Sequence, residues 1–299
     1  MRWRRRRRCG SIIKTESGAG LALVGALAIL AFAGNSLLAR AALGASEIGP
    51  GAYAAVRMGA GALVLLPLLS RTRVRDHWRG GLALAIYAAA FAFAYVALDA
   101  GSGALILFAA VQGCVLAGGI WRGERVAARA WLGVALAFAG VWWLLAPDLR
   151  GGVGDLAAAG AMGIAGVAWG VFTLVGHRGR GAAGPTMAAS FIIAAALCLP
   201  LLAMESAMSL RGALLAAVSG AVTSGLGYVA WYTVAPRLAL GGVAAVQLAT
   251  PVATAALAWP LLDEVPSTRL AVAAALVVGG IALAVSRTNG GVARGEEAG

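Results

Sequence analysis

The sequence is a succession of apolar runs of about 18 to 23 residues, broken by short charged or Gly/Pro-bearing segments. A helix of about 20 residues is long enough to cross the ~30 Å hydrocarbon core of a bilayer. Of the 299 residues, 61% are hydrophobic and 12% are charged, which is too apolar a balance for a water-soluble chain. The sequence therefore predicts an integral, all-α membrane protein.

Ten of these runs are predicted to be transmembrane helices. They cover residues 20–40, 51–69, 81–98, 103–121, 131–146, 155–175, 185–203, 212–235, 240–262 and 270–286. The connections between them are too short to hold a soluble domain. Any site of chemistry or binding is therefore expected inside the helical bundle.

The distribution of basic residues predicts the orientation of the bundle. With the N-terminus in the cytoplasm, 19 of the 24 Lys and Arg residues fall on the cytoplasmic side and four fall outside. Such a bias is the usual topology signal of inner-membrane proteins, and it places both termini inside. The basic arm of residues 1–19 lies next to the first span, where it would meet anionic lipid headgroups, so nucleic acid is not expected as a partner.

An internal repeat divides the chain into two halves. A shift of 140 residues lays residues 91–108 on 231–248 without a gap, and it pairs Glu124 with Glu264 and Gly140 with Gly280. The predicted repeats are residues 20–146 and 155–286, followed by a cytoplasmic tail of 287–299. Each repeat has five spans, an odd number, so the second repeat would enter the membrane inverted relative to the first.

Inverted repeats are a common architecture of secondary transporters, whose substrate site lies near the membrane midplane between the two halves. A duplicated scaffold that transports nothing has the same architecture, so it stays open as an alternative. The repeat by itself does not identify a substrate.

Several motifs resemble one family. "FAGNSLLAR" (32–40), "GPGAYAAVRMGAGALVLLPLL" (49–69) and "WRGERVAARAWLGVALAFAGV" (121–141) resemble the first half of an EamA-type transporter of the drug/metabolite transporter superfamily. "GVAWGVFTLVGHR" (166–178) and "LATPVATAALAWPLLDEVPS" (248–267) resemble the sixth and ninth helices of that family. The resemblance implies a ten-helix exporter of small metabolites that works without ATP.

Two positions depart from the family pattern. Phe32 stands where the family often has Trp, and Val111 stands where a Pro commonly breaks the fourth helix, whereas the ninth helix keeps Pro251. Asn35 and Arg57 match an Asn and an Arg of the family's first two helices. The resemblance therefore implies a role for both residues.

Energy and chemistry are constrained by what the sequence lacks. No phosphate-binding G-x-x-x-x-G-K-[ST] motif is present, so ATP is not expected to drive transport. Ionisable groups at membrane depth are few, which favours facilitated efflux or exchange and leaves proton antiport as an alternative. No catalytic constellation, metal-ligand spacing or cofactor motif is present, so an enzyme is not expected.

Polar and aromatic residues at membrane depth are the candidate substrate-binding residues. The set is Asn35, Arg57, Tyr87, Trp169, Tyr228, Trp231, Gln247 and Thr250, with Pro251 as a candidate helix break for gating. Each has a structural alternative: interhelical hydrogen bonding for Asn35, and an interfacial aromatic belt for Trp231. Arg57 is expected either to reach water or an outer carboxylate such as Glu47 or Asp99, or to face the cavity and attract a carboxylate.

The function predicted from these observations is export of small organic metabolites, such as amino acids, by alternating access. Aromatic walls with few charges favour a neutral or zwitterionic solute with apolar surface. Uptake of the same solutes is the alternative within transport. The expected partners are the small-molecule substrate and the bilayer, and a homodimer is also open.

Overall fold

The computed structural model describes residues 18–69, 72–121, 128–145, 153–178, 182–204, 208–237, 246–247 and 249–285. The predictions for the basic arm, for Glu124 and for the C-terminal tail fall outside these residues, except for the helical residues 18 and 19 at the end of the arm.

Ten helices make up the described chain. They are α1 (Gly18–Leu43), α2 (Pro50–Leu65), α3 (Trp78–Tyr95), α4 (Ala100–Ile120), α5 (Ala128–Leu145), α6 (Val153–Arg178), α7 (Ala183–Cys198), α8, α9 (Ala249–Leu262) and α10 (Thr268–Val285). Helix α8 has three parts, an α-helix Leu210–Val218, a π-helical segment Ser219–Leu226 and an α-helix Gly227–Val234. Each helix overlaps one predicted span, although the first residues predicted for the ninth span lie outside the described chain.

The surface of the bundle is apolar. Within the described residues, six spans are long and apolar enough to cross a membrane, and three further apolar helices are shorter. Large aliphatic and aromatic side chains such as Leu63, Phe138 and Leu210 point outward. Exposure of such an apolar surface to water would be costly, whereas contact with lipid chains is not. The protein is therefore a multi-pass membrane protein.

Local sequence signals set where the helices begin and end. Pro50 is the first residue of α2, where its missing N–H costs no hydrogen bond. Asp99 caps α4 by accepting a 2.7 Å hydrogen bond from the backbone N–H of Ser102. At the end of α9, Asp263 adopts a left-handed backbone with φ of 57°, a conformation that Asp tolerates better than most residues. This turn directs Glu264 back toward the bundle.

Polar contacts join helix ends and interhelical segments on one face of the bundle, here named the Glu264 face. The Glu264 carboxylate pairs with Arg40 of α1 at 2.7 Å and accepts the backbone N–H of Ala100 at 2.8 Å. Glu47, between α1 and α2, accepts hydrogen bonds from Ser209 and Arg211 at the start of α8. Each pair joins an element of the first half of the chain to an element of the second half.

Candidate functional site

Arg57 lies at the centre of the bundle, on α2, and its side chain is completely buried. Its Nε donates a 2.9 Å hydrogen bond to the Ser224 hydroxyl. Its Nη2 donates to the hydroxyls of Tyr87, at 3.2 Å, and Tyr228, at 2.8 Å. The guanidinium therefore joins α2 to α3 and α8.

The expectation that Arg57 reaches water or an outer carboxylate is wrong. Glu47 contacts Ser209 and Arg211 instead, and the Asp99 side chain caps α4. Among the described residues, no Asp or Glu forms an ion pair with Arg57. The Arg57 charge is thus buried among hydroxyl groups and aromatic rings.

Asn35 of α1 is the second polar group of the cluster, and it is also buried. Its Oδ1 accepts hydrogen bonds from the hydroxyls of Ser219, at 2.7 Å, and Ser224, at 3.4 Å. Its Nδ2 donates to the Tyr87 hydroxyl at 3.1 Å. The predicted interhelical hydrogen bonding of Asn35 is therefore present, and it connects α1 to α3 and α8.

The polar groups of this cluster hydrogen-bond mainly to one another. Asn35 Oδ1 accepts two hydrogen bonds, and the Ser224 oxygen accepts from Arg57 while donating to Asn35. The hydroxyls of Tyr87 and Tyr228 lie 3.2 Å apart and share one hydrogen bond while both accept from Arg57. Arg57 Nη1 has no partner among the described residues. The cluster therefore carries an unused donor and one positive charge, and its remaining acceptor positions belong to neutral hydroxyl oxygens.

Aromatic rings enclose the polar cluster. Trp169 of α6 packs on Tyr228, with ring centroids 4.5 Å apart, and on Phe32 and Tyr87 at 5.6 and 5.2 Å. The guanidinium carbon of Arg57 lies 4.7 Å from the centre of the Phe91 ring, a distance at which the negative π-face attracts a cation. These rings exclude water from the charge and partly offset its desolvation.

The π-helical segment of α8 shapes the site. It supplies Ser219 and Ser224, and Tyr228 follows it. Single-turn π-segments within α-helices are frequent at functional sites because they alter which side chains share a helix face. Gly220 in this segment lies so close to α2 that a Cβ there would be 2.0 Å from the Arg57 carbonyl oxygen. Only glycine allows the backbones of α2 and α8 to approach in this way.

A narrow cavity opens between the polar cluster and the aromatic rings. It has room for about one water molecule. Its lining residues come from α1, α3, α4, α6 and α8, and are Phe32, Asn35, Ser36, Tyr87, Phe91, Leu107, Phe108, Trp169 and Tyr228. Helices of both halves of the chain therefore meet at this cavity.

Five of the residues predicted from the sequence meet in this cluster: Asn35, Arg57, Tyr87, Trp169 and Tyr228. Trp231 lies next to this cluster, with its ring centroid 5.6 Å from that of Phe32. Because Trp231 is fully buried inside the bundle, the interpretation that it belongs to an interfacial aromatic belt is wrong.

The predicted residues of the ninth span lie elsewhere. Gln247 and Thr250 are buried, and Gln247 Nε2 and Thr250 Oγ1 have no hydrogen-bond partner among the described residues. Pro251 lies near the beginning of the described part of α9, and residues 246 and 247 before it are also helical. No hydrogen bond or ring contact within the described chain joins these three residues to the Arg57 cluster, and their roles stay predictions.

Sequence reasoning missed Ser219, Ser224 and Phe91 as members of the site. The signal for the two serines was a run of small polar residues, "SGAVTSG" (219–225), in an otherwise apolar span. Hydroxyl groups at membrane depth need partners, and such runs mark where a helix faces the bundle interior. Phe91 carried no distinguishing signal.

The fold and the site together define a helical, multi-pass membrane protein with a buried cationic and aromatic site between its two halves. The model of the EamA-like transporter family matches residues 156–286. The chain is also 45% identical over 280 residues to the uncharacterized protein PA1977 of Pseudomonas aeruginosa, a match that covers 91% of this chain and 96% of that protein. The protein belongs to the EamA-like transporters of the drug/metabolite transporter superfamily.

A solved crystal structure of another protein has the same fold. It superimposes with a TM-score of 0.66 over 90% of this chain and 98% of its own, at 23% sequence identity. At that identity the similarity concerns the fold alone.

Proposed function

We propose that this protein is a secondary transporter of the inner membrane that exports small organic metabolites, such as amino acids, by alternating access and without ATP. The observation that carries the proposal is the buried cluster of Arg57, whose partners Tyr87 and Tyr228 line a polar and aromatic cavity where helices of both halves meet. A purely structural core would be expected to bury no charge without a counter-ion, because desolvation of an ion costs several kcal/mol.

The pairing of helices supports the inverted repeat. In an inverted repeat, α1 to α5 are equivalent to α6 to α10 in the same order. The contact between α3 and α6 then has an equivalent between α8 and α1, and both pairs of helices are in contact. The same equivalence relates α4 on α6 to α9 on α1. Helix α5 packs on its own counterpart α10, where Gly140 and Gly280, equivalent under the 140-residue shift, each face backbone atoms of the other helix.

Contacts on the Glu264 face support alternating access. The Arg40–Glu264 ion pair and the contacts of Glu47 with Ser209 and Arg211 tie the two halves together on this face, while the cavity is too small for an organic solute. Passage of a solute therefore requires these contacts to break as the halves separate. In the proposed orientation, with both termini in the cytoplasm, the Glu264 face is the outer face, and its contacts form the outer gate.

Counterflow in proteoliposomes tests the proposal. Vesicles that contain the purified protein and trapped unlabelled solute should accumulate label from a panel of radiolabelled amino acids, and protein-free vesicles should not. Trp169→Ala should abolish the accumulation, whereas Trp142→Ala, at an exposed position of α5, should preserve it. If folded, oriented protein exchanges no member of the panel, the scaffold alternative replaces transport. Accumulation only in vesicles in which the outer face of the protein points outward would favour uptake.

A further inference from the structure

We propose that Arg57 recognises a carboxylate of the transported solute, so that the site accepts organic solutes with a carboxylate and rejects amines that lack one. The inference rests on the proposed transport function and names the chemical class of its substrate. It concerns only the carboxylate of the solute, and the rest of the solute would contact the apolar walls of the cavity.

The charge balance of the site is the first observation. Arg57 is always protonated, it is fully buried, and none of the described acidic residues pairs with it. Buried charges in proteins are ordinarily paired, since a lone ion forfeits its hydration. Hydroxyl groups and ring faces reduce this cost without neutralising the charge. A solute that carries one negative charge would neutralise it.

The hydrogen-bond balance is the second and independent observation. Arg57 Nη1 is a buried donor without a partner, while Asn35 Oδ1 and the Ser224 oxygen already accept hydrogen bonds. Of the two hydroxyl protons of Tyr87 and Tyr228, only one is used between their oxygens. The site thus has an unpaired cationic donor, and the acceptor positions left to it are those of neutral hydroxyl oxygens. A carboxylate brings up to four acceptor positions in a plane that suits the planar guanidinium.

The charge of the site selects a carboxylate over a phosphate. A phosphate monoester carries close to two negative charges at neutral pH, and one guanidinium would leave part of that charge uncompensated in a water-poor site. A carboxylate carries one charge and matches Arg57 alone. Arg57 does not itself line the cavity, but the hydroxyls of Tyr87 and Tyr228, to which it donates, do. Once the site opens to admit a solute, the apolar lining residues Phe32, Leu107, Phe108 and Trp169 would surround an apolar body attached to that carboxylate.

An ammonium group would find only neutral hydroxyl oxygens and ring faces among the described residues that line this site, and no carboxylate. The cavity lining contains no Asp or Glu among its nine residues, and the Asn35 amide oxygen is occupied. A free amine without a carboxylate would also meet the positive charge of Arg57. The ammonium of an amino acid is therefore dispensable for binding, whereas its carboxylate is required.

Four compounds with the same aromatic body separate these requirements. Phenylalanine carries a carboxylate and an ammonium group, 3-phenylpropionate carries the carboxylate only, phenethylamine carries the ammonium only, and 3-phenylpropanol carries neither. Binding is measured as the concentration-dependent rise in melting temperature of the purified full-length protein in detergent. Phenylalanine and 3-phenylpropionate should stabilise the protein, and phenethylamine and 3-phenylpropanol should not. Stabilisation by phenethylamine to the same extent overturns the proposal, as does equal stabilisation by sodium chloride at the same ionic strength.

Variants of Arg57 test the residue itself. Arg57→Gln should weaken binding of 3-phenylpropionate by roughly 10- to 100-fold, the effect of losing a hydrogen bond to a charged group. Arg57→Lys keeps the charge without the planar fork and should weaken it less. Arg75→Gln, at an exposed position, is the matched control and should bind as the wild type does. Unchanged binding in Arg57→Gln overturns the proposal, and if that variant does not fold, the four-compound comparison on the wild type still decides it.

The binding assay also separates this proposal from the transport function. Arg57-dependent binding of carboxylates by a protein that exchanges none of them in vesicles would leave the recognition of carboxylates standing and reject transport. Exchange of phenethylamine in preference to both carboxylates would leave transport standing and reject the role of Arg57.

Discussion

Replacement of Gly220 by alanine tests whether the close approach of α2 and α8 holds the site together. The new Cβ would lie 2.0 Å from the Arg57 carbonyl oxygen and 2.8 Å from its carbonyl carbon. Ordinary contacts require about 3 Å or more, and backbone atoms cannot rotate away, so the two helices must separate by about 1 Å. The hydrogen bonds from Arg57 to Ser224 and Tyr228, now 2.9 and 2.8 Å, would then exceed normal bonding distance.

Overpacking of this kind costs about 1–3 kcal/mol of the free energy of unfolding, measured by denaturant titration of the purified protein in mixed micelles. The matched control is Gly59→Ala, two residues after Arg57 on α2, where a new Cβ meets no atom within 4 Å. The control should be neutral or more stable, because alanine favours a helix by up to about 1 kcal/mol over glycine. If Gly220→Ala is as stable as Gly59→Ala and exchanges solute normally, the close approach does not build the site.

Three further substitutions test other parts of the account. Glu264→Gln removes the ion pair on the Glu264 face and should lower the free energy of unfolding by about 1–3 kcal/mol, whereas Asp76→Asn, in an exposed pair, should change it by less than about 1 kcal/mol. Ser224→Ala removes a hydrogen-bond partner of both Arg57 and Asn35 and should lower the free energy of unfolding by about 1–3 kcal/mol. Thr233→Ala, whose hydroxyl bonds only within α8, should be nearly neutral, and equal effects of the two variants in the same titration would contradict the hydrogen-bond network. Trp169→Ala should cost about 3–5 kcal/mol because it empties a buried aromatic contact, and a loss below 1 kcal/mol would show that the rings do not support the site.

The helices could be predicted from the sequence because a membrane imposes a simple rule. Each apolar run long enough to span the bilayer corresponds to a helix, and the ends differ by a few residues where caps decide them, as at Asp99 and Ser209. The π-helical segment Ser219–Leu226 was not predictable. Hydrophobicity does not distinguish an α-helical turn from a π-helical one, and Gly220 is informative only once its neighbour on α2 is known.

The site was only partly predictable from the sequence. Polar and aromatic residues at membrane depth stand out in an apolar chain, so Asn35, Arg57 and Trp169 could be identified one by one. Their partners could not, because which helices face one another is decided by packing across more than 100 residues of chain. The depth of Arg57 along α2 suggested an outer carboxylate, whereas the structure turns its side chain to the hydroxyls of α3 and α8.

The most direct test of the central claim is counterflow of labelled 3-phenylpropionate into proteoliposomes that contain the wild-type protein or Arg57→Gln. The label should accumulate in wild-type vesicles loaded with unlabelled 3-phenylpropionate, and not in vesicles with the variant, provided that both proteins are folded and equally reconstituted. Equal accumulation in the two preparations would contradict the claim that a buried guanidinium between the halves recognises the transported solute.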